Sequence, residues 1–391
     1  MTAEARKFAP PMPLLEAARA LEPQIQAASE SIDKECTIPA PLFEALRNTG
    51  LFRVGWWKSY GGLELDPIAQ MPILEEFSRV NGSVGWIAVF GALTGLIASM
   101  LDPAAVRDLL PSPDLTFAGQ YAPMGQAEKV PGGFKVNGRW SFGSGCLHAH
   151  SMHCGCVVFE DGSPRRLANG QPEIRQMAFP KAGCEILLDS WDTIGLRGTG
   201  SYDYVIKDLF VPYEHSFSYF APPPRDAPLY AFPGLFLFSH LPVPLGIARG
   251  AIDTFIALSS QKRLSPGGRF LREDNGVQEI VAEAEAALGA ARSYSYDVLG
   301  DMWETVSRKG ILSQRQRAVF RIALIYVTRV CKDVVTSMFD AGASSAIRRD
   351  NPLDRHLRDV LTLCQHRVVQ TKTYRPGGKI LLGLESNDPF F

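Results

Sequence analysis

The residues best suited to chemistry lie between Gly132 and Phe159, in the stretch GGFKVNGRWSFGSGCLHAHSMHCGCVVF. Within it, Trp140-Ser141-Phe142-Gly143-Ser144-Gly145 alternates large aromatics with residues that have almost no side chain. Such a ribbon can lie flat against a ring system: an aromatic packs on its face, glycines let the backbone approach, and a hydroxyl reaches its edge. On composition alone the simpler reading is a glycine-kinked β-strand. The same stretch holds a second set, Cys146, His148, His150, His153, Cys154 and Cys156. Strand alternation puts all but His153 on one face. A linear ladder does not close into a tetrahedral shell, and paired Cys-x-x-Cys spacing is missing, so no metal is expected.

These residues need a β-framework around them. Gly132-Gly133 signals a turn, Phe134-Lys135-Val136 begins an alternating run, and Asn137-Gly138 reads as a hairpin tip. The region from Leu115 to about Val211 alternates short β-rich runs with Gly, Pro and Asn turns, as in a small barrel or sandwich. It ends on WDTIGLRGTGSYDYVIKDLFVP (191–212), a glycine-rich loop and an alternating strand from Tyr202 to Ile206. Gly198-Thr199-Gly200 lacks the third glycine of a dinucleotide fingerprint and does not lie between a strand and a helix, so it reads as a turn.

Helical patterns flank the β-region. Leu14 to Lys34 has apolar residues at helical spacing, a second helix starts at Pro39 and ends near Gly50, and LFRVGWWKSYGGLELDP (51–67) is a turn-rich connector. Helices resume at Ile68 to Val80 and Pro103 to Leu110. Between them, Val80 to Leu101 carries no charge, but its many small and polar residues fit a buried core helix better than a membrane span. Pro222-Pro223-Pro224 marks a linker. Three prolines prevent one continuous helix over Tyr230 to Leu245. Long helical patterns follow at Leu245–Ser259, Val277–Ser307, Ser313–Ala341 and from Pro352 to about Val369, which suggests a four-helix bundle. The fold class is therefore α+β: an N-terminal helical domain (1–114), a middle β-domain (115–225) and a C-terminal bundle (226–391).

The chain has 391 residues, 40 basic and 41 acidic side chains and a net charge of −1. That balance, with no basic stripe, argues against nucleic acid or an anionic membrane as partner. The first residues have no apolar signal core, and seven cysteines without framework spacing fit a reducing cytoplasm.

The order of these parts resembles the acyl-CoA dehydrogenase superfamily over essentially the whole chain. It is most similar to the branch of two-component, flavin-dependent monooxygenases. Four pieces carry the likeness: YGG at Tyr60–Gly62, GGFKVNGRWSFGSG, WDTIGLRGTGSYDYVIKDLFVP, and PLDRHLRDVLTLCQH (352–366). The resemblance implies that Ser144 hydrogen-bonds the flavin's central-ring nitrogen and that Phe142 packs on the ring. It puts Gln120 and Tyr121, in FAGQYAPMG, near the flavin's edge, and gives the phosphates to Arg263 or Arg269. It implies reduced FAD or FMN as cofactor, FAD preferred, delivered by a separate NAD(P)H-dependent reductase, with dioxygen as co-substrate. A homotetramer is the family's usual assembly.

A dehydrogenase of this fold needs a carboxylate base beside the thioester. The stretches where relatives place it read LTLCQH and LGIARGA here, with no carboxylate. Instead His366 stands where oxygenase relatives carry a histidine near the flavin hydroperoxide. Leu361 replaces a further histidine that some of them have. Trp86, Phe90, Phe236 and Phe238 are the expected pocket walls, and their aromatic character points to a small phenol- or indole-like substrate. The alternatives are an acyl-CoA dehydrogenase with an unrecognised base, or a flavin-binding scaffold that has lost its chemistry.

Overall fold

The computed structural model describes residues 12–219, 221, 225–386 and 391. The N-terminal residues without a signal core and the Pro222–Pro224 linker lie outside the described residues.

The first helical pattern is divided. α1 (Met12–Ala20) stops before α2 (Glu22–Glu35), because Pro23 sits in the first turn of α2, where its missing N–H costs nothing. α3 (Ala40–Asn48) and two 3-10 turns lead to α4 (Pro67–Val80), capped by the Asp66 carboxylate. Asn81 accepts from the backbone N–H groups of Ser83 and Val84 and opens α5 (Gly82–Ala98). The uncharged helix is buried along almost its whole length, as a core helix should be. α6 (Pro103–Leu109) closes this part.

Eight strands follow: β1 (Phe117–Val130), β2 (Gly133–Gly143), β3 (Ser151–Glu160), β4 (Ser163–Pro164), β5 (Ile174–Pro180), β6 (Glu185–Leu187), β7 (Tyr202–Pro212) and β8 (Ser216–Phe217). They form one sheet in the order β6-β7-β2-β1-β3-β5-β8, with β4 paired to β3. The path among the described residues is open at β6 and β8, so this is not a closed barrel. Asn137-Gly138 is not a hairpin tip. The β1–β2 turn falls at Pro131-Gly132, and Asn137-Gly138 lies inside β2, where the register against β7 shifts. Gly138 there leaves room for the Trp140 ring, 2.7 Å from where a Cβ would stand.

The second helical part comprises a 3-10 segment (Pro233–His240), α7 (Pro242–Gln261), α8 (Asn275–Ser307), α9 (Gln314–Gly342), α10 (Pro352–Leu363) and α11 (Tyr374–Leu381). The last long pattern is shorter than its periodicity suggested. α10 ends at Leu363, and His366 lies beyond it at the head of a 3-10 turn, not on a helix. Both helical parts share one hydrophobic core, which runs from Leu14 to Val369. The sheet has its own core around Trp140, Tyr204, Cys154 and Cys156. The site described next lies where these two cores meet.

Candidate active site

Three of the four family-like motifs are joined by one line of hydrogen bonds. On α10, Asp359 is fully buried, and burial pushes its carboxyl up to about 6. Its Oδ1 accepts from the Leu196 backbone N–H at 2.6 Å, pinning a residue held at φ 51°. Gly195 lets this loop press on α10, since a Cβ there would stand 2.0 Å from the Arg358 carbonyl oxygen. The Leu196 carbonyl accepts from the Thr199 hydroxyl (2.7 Å), which is 2.7 Å from Ser201, itself 2.7 Å from Ser144. A carbonyl only accepts, so the line has one direction: Ser144 donates to Ser201, Ser201 to Thr199, Thr199 to Leu196. The Trp86 indole N–H donates to Ser144 Oγ at 3.2 Å. Ser144 thus keeps one lone pair for a further donor.

Phe142 is held at φ 68° and is 60% exposed, its ring edge-on to Trp191 at 6.2 Å. A strained aromatic left on the surface beside an accepting hydroxyl fits a flat, ring-bearing cofactor. Gln120 supports the ribbon, donating from Nε2 to the Ser141 carbonyl at 3.1 Å. Tyr121, its neighbour, points elsewhere. Its ring packs with His153, Tyr219 and Phe236, each 5.1 Å away for the centroids. The ribbon therefore gathers Gln120, Phe142 and Ser144, while Tyr121 joins the aromatic cluster of the pocket candidate Phe236.

Trp86, on α5, is the hinge between this hydroxyl line and a pair of histidines. Its ring meets His240 edge-on at 5.4 Å, His366 at 5.6 Å and Phe90 at 5.7 Å. His240 Nε2 and His366 Nδ1 are 3.1 Å apart. His240 is buried, whereas His366 is exposed on one side and packed on the other against the rings of Trp86 and His240. Desolvation first, then the Arg321 charge, lowers His366 to about 4. Desolvation, His366 and Arg321 together push His240 well below the usual histidine range. Both rings are neutral near pH 7.

The remaining candidates fall as follows. Phe236 is buried, and Phe238 is fully buried in the helical core. Arg263 and Arg269 sit on the exposed α7–α8 connection. Arg263 donates to the Gly268 carbonyl and lies 4.0 Å over the Phe270 ring, and Arg269 pairs with Asp274 at 2.9 Å. The Cys/His run is divided. His148 stacks on Phe43 in a turn, Cys154 and Cys156 lie in the sheet core with sulfurs 3.8 Å apart, and His153 bonds Gln176. Among the described residues no three His, Cys, Asp or Glu side chains gather as a metal site would.

Sequence reasoning missed His240, Ser201, Thr199 and Asp359. His240 sits in an apolar, proline-broken run without a motif, so only the fold brings it to His366. The other three lie inside quoted motifs, and the small hydroxyl side chains of Thr199 and Ser201 on one loop were a readable signal. Another missed residue, Glu75, is a buried carboxylate raised to about 7, chiefly by burial. It pairs with Arg292 at 2.6 Å, so its charge is turned toward α8.

An N-terminal helical part, a sheet and a second helical part sharing one core with the first define an acyl-CoA dehydrogenase fold. The N-terminal domain of that family matches residues 14–111 and its C-terminal domain residues 239–371. An indole-3-acetate monooxygenase from Pseudomonas putida is 31% identical over 353 residues, 90% of this chain and 89% of its own. The oxygenase component of an FADH2-dependent resorcinol hydroxylase from Rhizobium sp. is 26% identical over 390 residues, 92% of this chain and 91% of its own. The crystal structure of 3-HSA hydroxylase from Rhodococcus sp. RHA1 superposes with a TM-score of 0.90 at 25% identity, covering 97% of this chain and 99% of that one. The chain belongs to the two-component, flavin-dependent monooxygenase branch of the acyl-CoA dehydrogenase superfamily. It is an oxidoreductase that depends on reduced flavin.

Proposed function

We propose that the protein inserts one oxygen atom into a small indole- or phenol-like compound, with Ser144 and His366 at opposite ends of one chamber. The observation that carries this is Trp86, whose N–H is on Ser144 and whose ring faces both His240 and His366. The chamber has a hydroxyl at one end, neutral imidazoles at the other, and aromatic carbon between them. The buried carboxylates of α10 and α4 are turned away from it: Asp359 is bonded to Leu196, and Glu75 faces Arg292. That supports oxygenation over the thioester dehydrogenation that a carboxylate base would serve.

Bound reduced flavin supplies the two electrons with which dioxygen is split, one oxygen atom entering the product and the other leaving as water. Phe142, Trp191 and Gln120 would cradle its ring, Ser144 would accept from its central N–H, and Arg263 or Arg269 would hold its phosphates. The aromatic walls, with Phe90 and Phe236, exclude water and orient a flat substrate. His366 handles the proton that the substrate gives up or the departing oxygen takes. FAD is preferred to FMN in this reading, a separate NAD(P)H-dependent reductase supplies it, and the working form is a cytoplasmic homotetramer. The resorcinol hydroxylase's name supports FAD and a separate reductase, the seven free cysteines support a reducing compartment, and the homotetramer is carried over from the family's usual assembly.

The test is a panel of indoles and phenols incubated with the protein, reduced FAD or FMN, and oxygen. The expected product is heavier by about 16 daltons, one oxygen atom. Flavin bleaching by acyl-CoA thioesters without oxygen would overturn the assignment.

A further inference from the structure

The histidine pair has a direction, and its source is a backbone carbonyl. His240 Nδ1 lies 3.2 Å from the Leu237 carbonyl oxygen and 3.3 Å from the Ser239 hydroxyl. A carbonyl accepts and never donates, so the Leu237 contact is favourable only with the proton on His240 Nδ1. A neutral imidazole carries one ring proton, which leaves His240 Nε2 as an acceptor. His366 Nδ1, 3.1 Å away, must then be the donor. One contact competes: the Val368 backbone N–H lies 3.3 Å from the same Nδ1 and would prefer it bare. The two arrangements do not cost the same. Placing two lone pairs against each other at Leu237 would be repulsive in a site water does not reach, because His240 is only 6% exposed. Val368 is partly exposed on an open turn, where water can serve its N–H.

We propose that His240 is a positioning residue that sets the tautomer of His366, so that His366 carries its proton on Nδ1 and presents Nε2 as a bare lone pair. Burial first, and then the charge of Arg321 acting on both rings, keeps the pair neutral. Resting on the chamber proposed above, the consequence is a choice of substrate. Nε2 accepts a hydrogen bond from an indole N–H or a phenol O–H, which turns that edge of the substrate toward His366 while the proton stays on the substrate's nitrogen or oxygen. A compound offering neither group gives Nε2 nothing to accept.

The experiment reads the tautomer directly, without flavin or substrate, and so is independent of the functional reading. Nitrogen-15 spectra of histidine-labelled protein resolve pyrrole-type from pyridine-type nitrogens among seven histidines, with His366→Asn giving the assignment. The expected result is a pyrrole-type Nδ1 and a pyridine-type Nε2 at His366. In His240→Phe, the Val368 N–H captures Nδ1 and the two signals exchange character. His240→Asn, which keeps an N–H donor for Leu237 but has no atom at the position of Nε2, makes the same prediction should the phenylalanine variant not fold. A protonated Nε2 in the wild type, or an unchanged His366 in both variants, would overturn the proposal.

Discussion

The two ends of the proposed chamber are built alike from different materials. At the sheet end, three hydroxyls run from Ser144 to the Leu196 carbonyl; at the helical end, two imidazoles run from His366 to the Leu237 carbonyl. In each, a group that only accepts fixes the direction of the line. What differs is the result at the chamber. Hydroxyls do not titrate near neutrality, so Ser144 offers a fixed acceptor, while an imidazole can take up and release a proton. The comparison teaches that one end is suited to hold and the other to react.

Substitutions should separate the two roles, and the largest effect belongs to the reacting end. His366→Ala should lower product formation by roughly 100-fold or more while reduced flavin still binds. Equilibrium binding and product assays on the same preparation check this, and a parallel loss of flavin affinity would merge the two roles. Asp359→Ala should cost about 1–3 kcal/mol of stability, since the Leu196 N–H loses its buried partner. It should also loosen Ser144, read as a lower melting temperature together with poorer coupling. Ser144→Ala should leave turnover of reduced flavin intact but raise hydrogen peroxide release about tenfold, the effect of one hydrogen bond worth about 1.4 kcal/mol. Thr199→Val frees the Ser201 and Ser144 protons to turn around. Oxidised flavin, whose central nitrogen accepts, should then gain affinity relative to reduced flavin by a few-fold, about 1 kcal/mol at most, measurable by titration of both forms.

The smallest effect concerns pH. His148 and His153 are lowered to about 4 and His356 to about 3, all chiefly by burial, and His240 is lowered too. Their unfolded values lie near ~6.5. Below that pH the unfolded chain binds protons that the folded one refuses, so stability falls as pH drops from about 6.5 toward 4. Glu75 and Asp359, raised to about 7 and about 6, act in the opposite sense. Four histidines outweigh two carboxylates in that window, so the melting temperature should fall on going from pH 7 to pH 5. A flat profile would mean that the histidine end admits water more freely than its packing implies.

The two ends also differ in how legible they were. The hydroxyl end is local: WSFGSG and GLRGTGS carry Ser144, Thr199 and Ser201 in short motifs, and glycines at the points of close approach mark them. The imidazole end is assembled over long range, from α5, the 3-10 segment before α7, and the turn after α10. His366 could be named through its motif, but its place off the helix could not, because apolar spacing continues past Leu363 while the backbone does not. His240 carried no local sign. Helix periodicity gave the helical parts well, and Asn137-Gly138 misled because a turn dipeptide and a bulge share the same chemistry. Pro23 could have warned of the break between α1 and α2.

The most direct measurement follows isotopically labelled dioxygen through one turnover with reduced flavin and an indole- or phenol-type compound. One labelled oxygen atom should appear in the aromatic product and the other in water. Label confined to hydrogen peroxide across the whole panel, or product oxygen drawn from solvent, would contradict oxygen insertion in the chamber around Trp86.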